Sequence, residues 1–199
     1  MELIGGRWTY PILRELMLGP KRFTELLASV RGITPAVLSA RLRELAATGL
    51  VEATPAVGGL PRAYLLTPWA ARLAPILRDL GRWAQDSPVH EPIGGLTPDG
   101  VVQAMLTMAT PQPDRIAGHI ELVLRDDRVP GDRDHPFVVG WGRRGVRARR
   151  GTGRGRLTQV RSDSTSWGRV LFAGMPLRAS GAQIIGSEPD VRALLDCFS

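Results

Sequence analysis

The residues that could do chemistry are few and scattered along this 199-residue chain. The three histidines, His90, His119 and His135, lie far apart in sequence, and no Cys, Asp or Glu accompanies them at metal-ligand spacing. The single cysteine, Cys197, has no partner for an internal disulfide, which is typical of a reducing compartment. The sequence therefore predicts no metal site and no bound cofactor.

Two polar segments are candidates for a catalytic or phosphate-binding motif. Asp126, Asp127, Asp132 and Asp134 cluster in one predicted turn, where carboxylates are usually solvated. The segment Gly151-Thr-Gly-Arg-Gly155 is glycine-rich, but it lies between predicted strands, whereas a phosphate-binding loop leads into a helix. Because no Gly-x-Ser-x-Gly nucleophile turn occurs either, we predict no catalytic residues and a protein that is not an enzyme.

Positive charge is the chain's clearest chemical signal. The formal net charge is +7 and the isoelectric point is about 11.0. This balance favours a polyanionic partner such as nucleic acid. The part up to Asp86 has 11 basic and seven acidic residues, and the part after it has 15 and 12. Since both parts are basic, only their motifs can identify the one that binds DNA.

A segment rich in proline and glycine, from Asp86 to Pro98, divides the chain. We predict a first domain over residues 1–86, a linker over 87–97 and a second domain over 98–199. Hydrophobic residues make up 43% of the chain, so both domains can bury a core. No apolar run approaches the roughly 20 residues of a membrane span, and the N-terminus has no leader pattern. We therefore expect a cytoplasmic protein with no membrane partner.

The first domain begins with three predicted helices. They cover residues 7–18, residues 21–28, and a segment that starts at Pro35 and ends at Gly49. Thr34 is the predicted cap of the third helix. Leu38, Leu42 and Leu45 follow at spacings of four and three residues, which places them on one buried stripe of that helix.

A predicted hairpin follows the third helix directly. Its strands cover residues 50–54 and 62–66 with a turn at 56–61, and a last helix runs from Thr67 to about residue 85. That helix carries an apolar stripe predicted to face inward: Leu73, Ile76, Leu77, Leu80 and Trp83. Helix, short helix, turn, helix, hairpin and helix is the layout of a winged helix-turn-helix. In that fold the third helix enters a major groove and the hairpin reaches along the backbone.

The residues of this domain resemble the HxlR-type transcriptional regulators. The matching segments include Gly5-Gly6-Arg7-Trp8-Thr9, Gly19-Pro20-Lys21-Arg22-Phe23, Gly32-Ile33-Thr34, Leu38-Ser39-Ala40-Arg41-Leu42 and Tyr64-Leu65-Leu66-Thr67, with Trp83 near the end of the last helix. The resemblance spans nearly all of residues 4–85. It implies a homodimer that binds a palindromic operator in double-stranded DNA.

This chain departs from the family pattern at its start. Members of the family usually carry an extra N-terminal helix that helps them dimerise, often with a cysteine that senses electrophiles. Here the chain begins almost directly at Gly6-Arg7-Trp8, and no cysteine precedes that motif. We therefore expect no thiol sensing at that position. Dimerisation then relies on the remaining elements, unless the natural start lies upstream of Met1.

Seven side chains of the first domain are candidates for DNA contact: Lys21, Arg22, Thr34, Ser39, Arg41, Arg43 and Arg62. Ser39 and Arg43 lie opposite the leucine stripe, where they can reach base edges or phosphates. Lys21 and Arg22 open the second helix and are expected to hold phosphates, because nothing in the predicted core requires Lys21.

Several of these candidates also have a purely structural interpretation. Thr34 caps a helix whether or not DNA is bound. Arg41 can equally pair with Glu44 or Glu25, and Arg62 lies in the predicted wing. The exposed side of the third helix has few side chains that read bases directly. This scarcity favours indirect readout or a modest sequence preference.

The second domain has the pattern of an α+β fold with a mainly antiparallel sheet covered by helices on one face. Helices are predicted over 99–109, 165–173 and from Glu188 to about residue 198, and strands over 116–125, 136–141, 146–150, 157–161 and 177–185. The order resembles the sterol-carrier-protein fold, mainly from Asp163 to Gly174 and from Ala179 to Gly186.

The resemblance implies an apolar tunnel between sheet and helices that holds a small hydrophobic effector. The residues proposed to lie near such a pocket are Met105, Met108, Phe172 and Met175, since methionine suits adaptable apolar sites. The alternative is that each is an ordinary core side chain.

Residues 143–156 hold seven arginines and no acidic residue. One interpretation is a basic arm that contacts nucleic acid. The favoured interpretation is an exposed hairpin, with Val146 and Ala148 facing inward and Arg147 and Arg149 facing outward.

Two functions remain in view from the sequence. The first is a transcriptional regulator whose second domain responds to a ligand. The second is a lipid-binding carrier or scaffold whose winged helix mediates protein contacts.

Overall fold

The computed structural model describes residues 4–55, 62–85 and 96–198, and the chain divides into two compact units, Met1–Leu80 and Gly81–Ser199. The predicted turn at 56–61 and most of the predicted linker lie outside the described residues. None of the helices in the described ranges is long and apolar enough to cross a membrane.

The first unit contains helices and a small sheet in the order of a winged helix-turn-helix. Its elements are α1 (Thr9–Leu16), β1 (Lys21–Arg22), α2 (Phe23–Ser29), α3 (Pro35–Ala47), β2 (Val51–Ala53), β3 (Ala63–Leu66), α4 (Pro68–Ala71) and the part of α5 (Ala74–Gln85) up to Leu80. The helix α3 begins and ends at the predicted signals. Thr34 Oγ1 accepts a hydrogen bond from Val37 N at 3.4 Å.

The end of α3 depends on Gly49. This residue has φ +72°, a left-handed conformation that glycine adopts without a steric penalty. The N–H of Gly49 donates to Ala46 O at 3.0 Å, and the N–H of Leu50 donates to Leu45 O at 2.9 Å. These two bonds form a Schellman motif, which satisfies carbonyl groups at the helix end and turns the chain into β2.

The strand β1 was not predicted from the sequence. It pairs antiparallel with β3, so that Lys21 lies opposite Tyr64 and Arg22 opposite Ala63, and β2 pairs with the other side of β3. The predicted second helix therefore begins two residues late, at Phe23. A strand of two residues has no periodicity of its own, and its formation depends on a partner about 40 residues away in the chain.

The predicted last helix of the first domain is two helices. The break between α4 and α5 precedes Pro75. Proline has no N–H to donate to the carbonyl four residues earlier, and its ring collides with that carbonyl, so a helix interior kinks or breaks at Pro75. The prediction that the whole apolar stripe faces inward is also wrong. Leu77 is buried, whereas Ile76, Leu80 and Trp83 are 57%, 45% and 72% exposed.

The second unit is an α+β domain. Its elements are α6 (Pro98–Met108), β4 (Gly118–Arg125), β5 (His135–Gly142), β6 (Gly145–Arg150), β7 (Gln159–Asp163), α7 (Ser164–Phe172), a short 3-10 helix (Leu177–Ala179), β8 (Gln183–Ile185) and α8 (Glu188–Leu195). The five strands are ordered β6-β5-β4-β7-β8, and all pairs are antiparallel except β4 with β7.

One face of this sheet is fully buried, and the other is only partly covered. Ile120, Leu122 and Leu124 alternate along β4 and are all fully buried, whereas on the other face His119 and Arg125 are exposed, Glu121 is half-buried and Val123 is 4% exposed. The helix α8 packs against β4, and α6 packs against β6. This alternation is the period-2 pattern of a sheet covered on one side.

The predicted strand at 177–185 is only partly correct. Residues 177–179 form a 3-10 helix, and only Gln183–Ile185 are in a strand. Ser180 Oγ donates to Leu177 O at 2.6 Å and accepts from Ala182 N at 3.2 Å. These local bonds offer the backbone an alternative to strand pairing, and Gly181 with φ +70° completes the turn.

Candidate nucleic-acid interface

The helix α3 is fixed in the core on one side and exposed on the other. Leu38, Leu42 and Leu45 are each at most 2% exposed and pack into the core of the first unit. Ser39 and Arg43 are exposed, and Arg43 Nε donates to Ser39 O at 3.4 Å. The core of the first unit therefore fixes one side of the helix, and the side chains on its other side are exposed.

Val37 is a further surface residue of α3 that the sequence analysis did not single out. It is 40% exposed, one residue before the leucine stripe begins. An exposed apolar side chain near the N-terminus of such a helix can contact the methyl group of thymine. The signal available in the sequence was its position off the stripe.

Lys21 lies in the core rather than on the surface. Its side chain is only 7% exposed, and Nζ donates to Glu15 Oε2 at 2.5 Å and to Ser29 Oγ at 2.8 Å. Glu15 is fully buried and also accepts from Arg14 at 3.1 Å. The expectation that the core does not need Lys21 is therefore wrong, because Lys21 neutralises a buried carboxylate that is costly to leave unpaired.

Arg22 and Arg62 lie at the same end of the three-stranded sheet. Arg62 comes directly before Ala63, which is the residue opposite Arg22 in the β1–β3 register. Arg22 precedes α2 and pairs with Glu25 at 2.9 Å, a contact that raises the pKa of its guanidinium. Arg62 is exposed, with its guanidinium 5.7 Å from the centre of the Tyr64 ring.

Arg41 lies on the flank of α3 and is engaged within the protein. Its Nη1 donates to Glu44 Oε2 at 2.6 Å, as one of the two sequence interpretations predicts. A methyl group added at Gly6 would approach Arg41 Nη1 to 2.7 Å, so the guanidinium lies against the backbone before α1. Thr34 is exposed and acts as the cap of α3.

The side chains proposed for an apolar pocket have different exposures. Met105 is fully buried, Met108 and Met175 are half-buried, and Phe172 is 39% exposed with its ring 6.0 Å from that of Phe198. A cavity of about 340 Å³ in the second unit is lined by a different set: Val123, Arg125, Asp134, Arg161, Ser162, Asp163, Gly181 and Gln183.

Trp167, on α7, is fully buried, and its Nε1 has no hydrogen-bond partner among the described residues. A buried indole N–H without an acceptor costs about 1–3 kcal/mol.

Two carboxylates of the acidic cluster, those of Asp126 and Asp134, form hydrogen bonds with arginines. Asp134 accepts bonds from Arg125, at 2.7 Å, and from Arg161, and these guanidinium groups hold the pKa of its carboxyl below its usual range. Burial acts to raise the pKa of Asp126, but bonds from Arg128 hold it below its usual range as well. Within the described ranges, no group of three or more His, Cys, Asp and Glu side chains is placed to hold a metal ion.

The arginine-rich segment forms the predicted hairpin. Arg147 and Arg149 are exposed, whereas Val146 and Ala148 alternate with them and are half-buried. Arg150 lies on the covered face and pairs with the buried Asp99 at 2.6 Å. The alternation predicted for β6 is thus confirmed.

Cys197 is fully buried, and its Sγ contacts Ala193 O at 3.6 Å. Burial raises the pKa of this thiol, while the nearby Arg115 acts in the opposite direction. A thiol held protonated in this way reacts slowly, because the thiolate is the nucleophile.

Comparison with known proteins concerns the first part of the chain. A family profile described as "HxlR-like helix-turn-helix" matches residues 3–91. Two proteins of Bacillus subtilis (strain 168) are similar to this chain. "Uncharacterized HTH-type transcriptional regulator YkvN" is 41% identical over 83 residues, which are 41% of this chain and 70% of that protein. "Uncharacterized HTH-type transcriptional regulator YvaP" is 33% identical over 87 residues, 43% of this chain and 81% of that protein. The solved "Reduced form of the transcriptional regulator YodB from B. subtilis" aligns with a TM-score of 0.41 at 30% identity, over 45% of this chain and 90% of that chain.

Proposed function

Because this chain belongs to the HxlR-like helix-turn-helix family of transcriptional regulators, whose members bind DNA and are not enzymes, we propose that it is a cytoplasmic homodimer that binds a palindromic operator through α3. The observation that carries this proposal is the two-sided character of that helix. Leucines at most 2% exposed fix one side, and Ser39 and Arg43 are exposed on the other.

Within this interface the candidate residues divide into two groups. Ser39 and Arg43 face the bases, Thr34 offers its hydroxyl to a phosphate, and Arg22 and Arg62 hold the backbone beside the wing. Lys21 and Arg41 instead position the helices, because each is bonded to a carboxylate within the protein and has a side chain at most 29% exposed. Arg22 also pairs with a carboxylate, Glu25, but its side chain is 42% exposed.

The experiment that tests DNA reading is selection of an operator by the full chain from a randomised duplex pool, followed by the variant Arg43→Ala. A good bidentate arginine contact discriminates by about 1–3 kcal/mol. We therefore expect the preference for the selected duplex over a scrambled one to fall about 5- to 150-fold, measured by fluorescence anisotropy.

The matched control for that experiment is Arg72→Ala, which removes an exposed arginine from outside α3 and the wing. It should leave the preference unchanged. If the parent chain shows no preference for any duplex, or if both variants reduce the preference equally, the proposed role of α3 is wrong.

The surface proposed for dimerisation is the exposed stripe of α5. Ile76, Leu80 and Trp83 follow at spacings of four and three residues, which places them on one face of the helix. They are 45–72% exposed. A continuous stripe of large apolar side chains on a surface helix marks a protein interaction site, and a palindromic operator requires two copies related by twofold symmetry.

We further propose that a small apolar ligand bound in the second unit controls DNA binding. Two observations support this. The elements α7, β8 and α8 follow in the order on which the resemblance to the sterol-carrier-protein fold rests. The buried Trp167 Nε1 can donate to an oxygen atom of such a ligand. Met105, Met108, Phe172 and Met175 are the proposed apolar contacts.

Ligand control is tested by native mass spectrometry of the purified full chain, which should retain an apolar molecule. The variant Trp167→Phe keeps the apolar ring but removes the N–H. Because one hydrogen bond contributes about 0.5–1.5 kcal/mol, we expect the ligand's Kd to rise about 2- to 10-fold.

The control for ligand binding is Trp141→Phe, a buried tryptophan on β5. An equal effect of both substitutions would contradict a direct bond from Trp167. If a ligand binds but does not change operator affinity, the second unit acts as a carrier, the alternative considered from the sequence.

Thiol chemistry is not part of this proposal. Cys197 is fully buried, and burial raises the pKa of its thiol. We therefore place control of DNA binding in non-covalent ligand binding.

A further inference from the structure

Six arginines in and after the β5–β6 hairpin form an exposed basic surface, the arginine edge: Arg143, Arg144, Arg147, Arg149, Arg154 and Arg156. The first two form the hairpin turn, the next two lie on β6, and the last two follow that strand. Because β6 is the terminal strand of the five-stranded sheet, Arg147 and Arg149 lie at the edge of that sheet. The sequence contains no acidic residue between 143 and 156.

These arginines are not neutralised by carboxylates. Within the described part of the chain none of the six forms an ion pair, and Arg149 donates only to backbone carbonyls, Thr152 O among them at 3.2 Å. Other arginines of the same unit do pair: Arg128 with Asp126 at 2.5 Å and Arg192 with Glu188 at 2.7 Å.

The fold aims two of these side chains at the uncovered face of the sheet. Arg147 lies over Gly140, where an added Cβ would be 3.4 Å from its Nε, so the glycine leaves room for the side chain. Arg147 and Arg149 alternate with half-buried residues and stand about 6.6 Å apart along the strand. This is about twice the axial spacing of 3.4 Å between phosphates on one DNA strand.

The carboxylate nearest to Arg149 across the sheet register is that of Glu121, and it is hydrogen-bonded to other groups. In the register, Arg149 is opposite Val138, and Val138 is opposite Glu121. Glu121 accepts from Gly153 N at 2.8 Å and from Gln159 Nε2 at 2.7 Å. The positive charge of the arginine edge is therefore available to a partner outside the chain.

We propose that the arginine edge is a second DNA-contacting surface, which binds the phosphates of duplex DNA without reading base sequence. This rests on the proposed function, because a DNA-binding family supplies the polyanion that the charge complements. Exposed charges also protect a sheet edge from pairing with another chain, but that protection does not change how DNA affinity depends on salt. Arginine is suited to the proposed contact because its planar fork matches phosphate oxygens.

The test uses the full chain, a duplex selected by that chain and a scrambled duplex of the same composition, over a series of salt concentrations. The variant combines Arg143→Gln, Arg144→Gln and Arg147→Gln. Each lost phosphate contact changes the slope of log K against log salt by about 0.9. We expect a slope less steep by about 2.7 on both duplexes, an affinity lower by at least about tenfold at 0.1 M salt, and an unchanged preference between them.

The matched control removes the same charge elsewhere in the unit, by Arg169→Gln, Arg178→Gln and Arg192→Gln, all exposed in the parent chain. Its slope should equal that of the parent. Equal slopes for the two triple variants would overturn the proposal. Thermal unfolding followed by circular dichroism verifies that both variants are folded. If the parent lacks a sequence preference, the proposed function fails, and the slopes still decide whether the arginine edge binds phosphates.

Discussion

Replacing Lys21 by methionine is expected to lower the free energy of unfolding of the first unit by about 3–5 kcal/mol. The methionine fills a similar volume, but it leaves the carboxylate of Glu15, which is fully buried, without the ammonium group 2.5 Å away. Arg14 also contacts this carboxylate, at 3.1 Å, so the loss should fall toward the lower part of that range. Urea denaturation followed by circular dichroism measures it.

The double variant Glu15→Leu with Lys21→Met separates the pair from the packing around it. Both charges are then removed together, so no buried carboxylate is left without its partner. The free energy of unfolding of the double variant should therefore lie within about 1–2 kcal/mol of that of the parent. A single variant as stable as the parent would show that Lys21 is dispensable in the core.

The same double variant tests the role of Lys21 toward DNA. If Lys21 contacts no phosphate, the slope of log K against log salt should equal that of the parent. A slope less steep by about 0.9 would instead restore the sequence prediction that this side chain holds a phosphate.

The reason the sequence suggested a surface position for Lys21 is physical. A helix signal such as the Thr34-Pro35 start of α3 depends on neighbours within a few residues, and it placed the N-terminus of α3 correctly. The place of Lys21 depends instead on pairing with β3 and on the carboxylate of Glu15, six residues earlier on α1. The periodicity of a short sequence segment cannot predict such contacts.

Periodicity also finds an apolar stripe without saying what covers it. The spacing of Ile76, Leu80 and Trp83 identifies one face of a helix, and the structure leaves that face exposed within one chain. Pro75 was a sequence signal for the break before it, because proline in a helix interior kinks or breaks the helix.

The sheet of the second unit was more predictable than its loops. Alternation along β4 and β6 predicted the inward-facing Ile120, Leu122, Leu124, Val146 and Ala148, since a buried face imposes a period of two. The predicted strand at 116–125 begins only at Gly118, however, and Ile116 is 87% exposed. The stretch at 177–185 differs from its predicted strand because Ser180 bonds to its own neighbours in the chain. Composition alone does not show whether such local bonds or the bonds between strands will form. The residues proposed to contact DNA or an effector stay predictions, because a binding role depends on a partner as well as on the fold.

The second large effect is expected from Leu80→Asp. In a single chain this side chain is 45% exposed, so a charge there should leave the monomer folded. In the proposed dimer it would place two carboxylates in an apolar interface around Trp83, where buried tryptophans contribute much of the binding energy. We expect sedimentation at micromolar concentration to give the mass of one 21.6-kDa chain rather than two.

Loss of the dimer should also lower the affinity for the operator strongly. A monomer can engage one half-site only, so the affinity for the selected duplex is expected to fall by at least about 100-fold, toward that for scrambled DNA. The control Thr110→Asp adds the same charge at an exposed position of the second unit and should change neither mass nor affinity. A Leu80→Asp variant that remains dimeric would place the interface elsewhere. A monomeric variant that keeps full affinity would mean that one chain suffices to bind the operator.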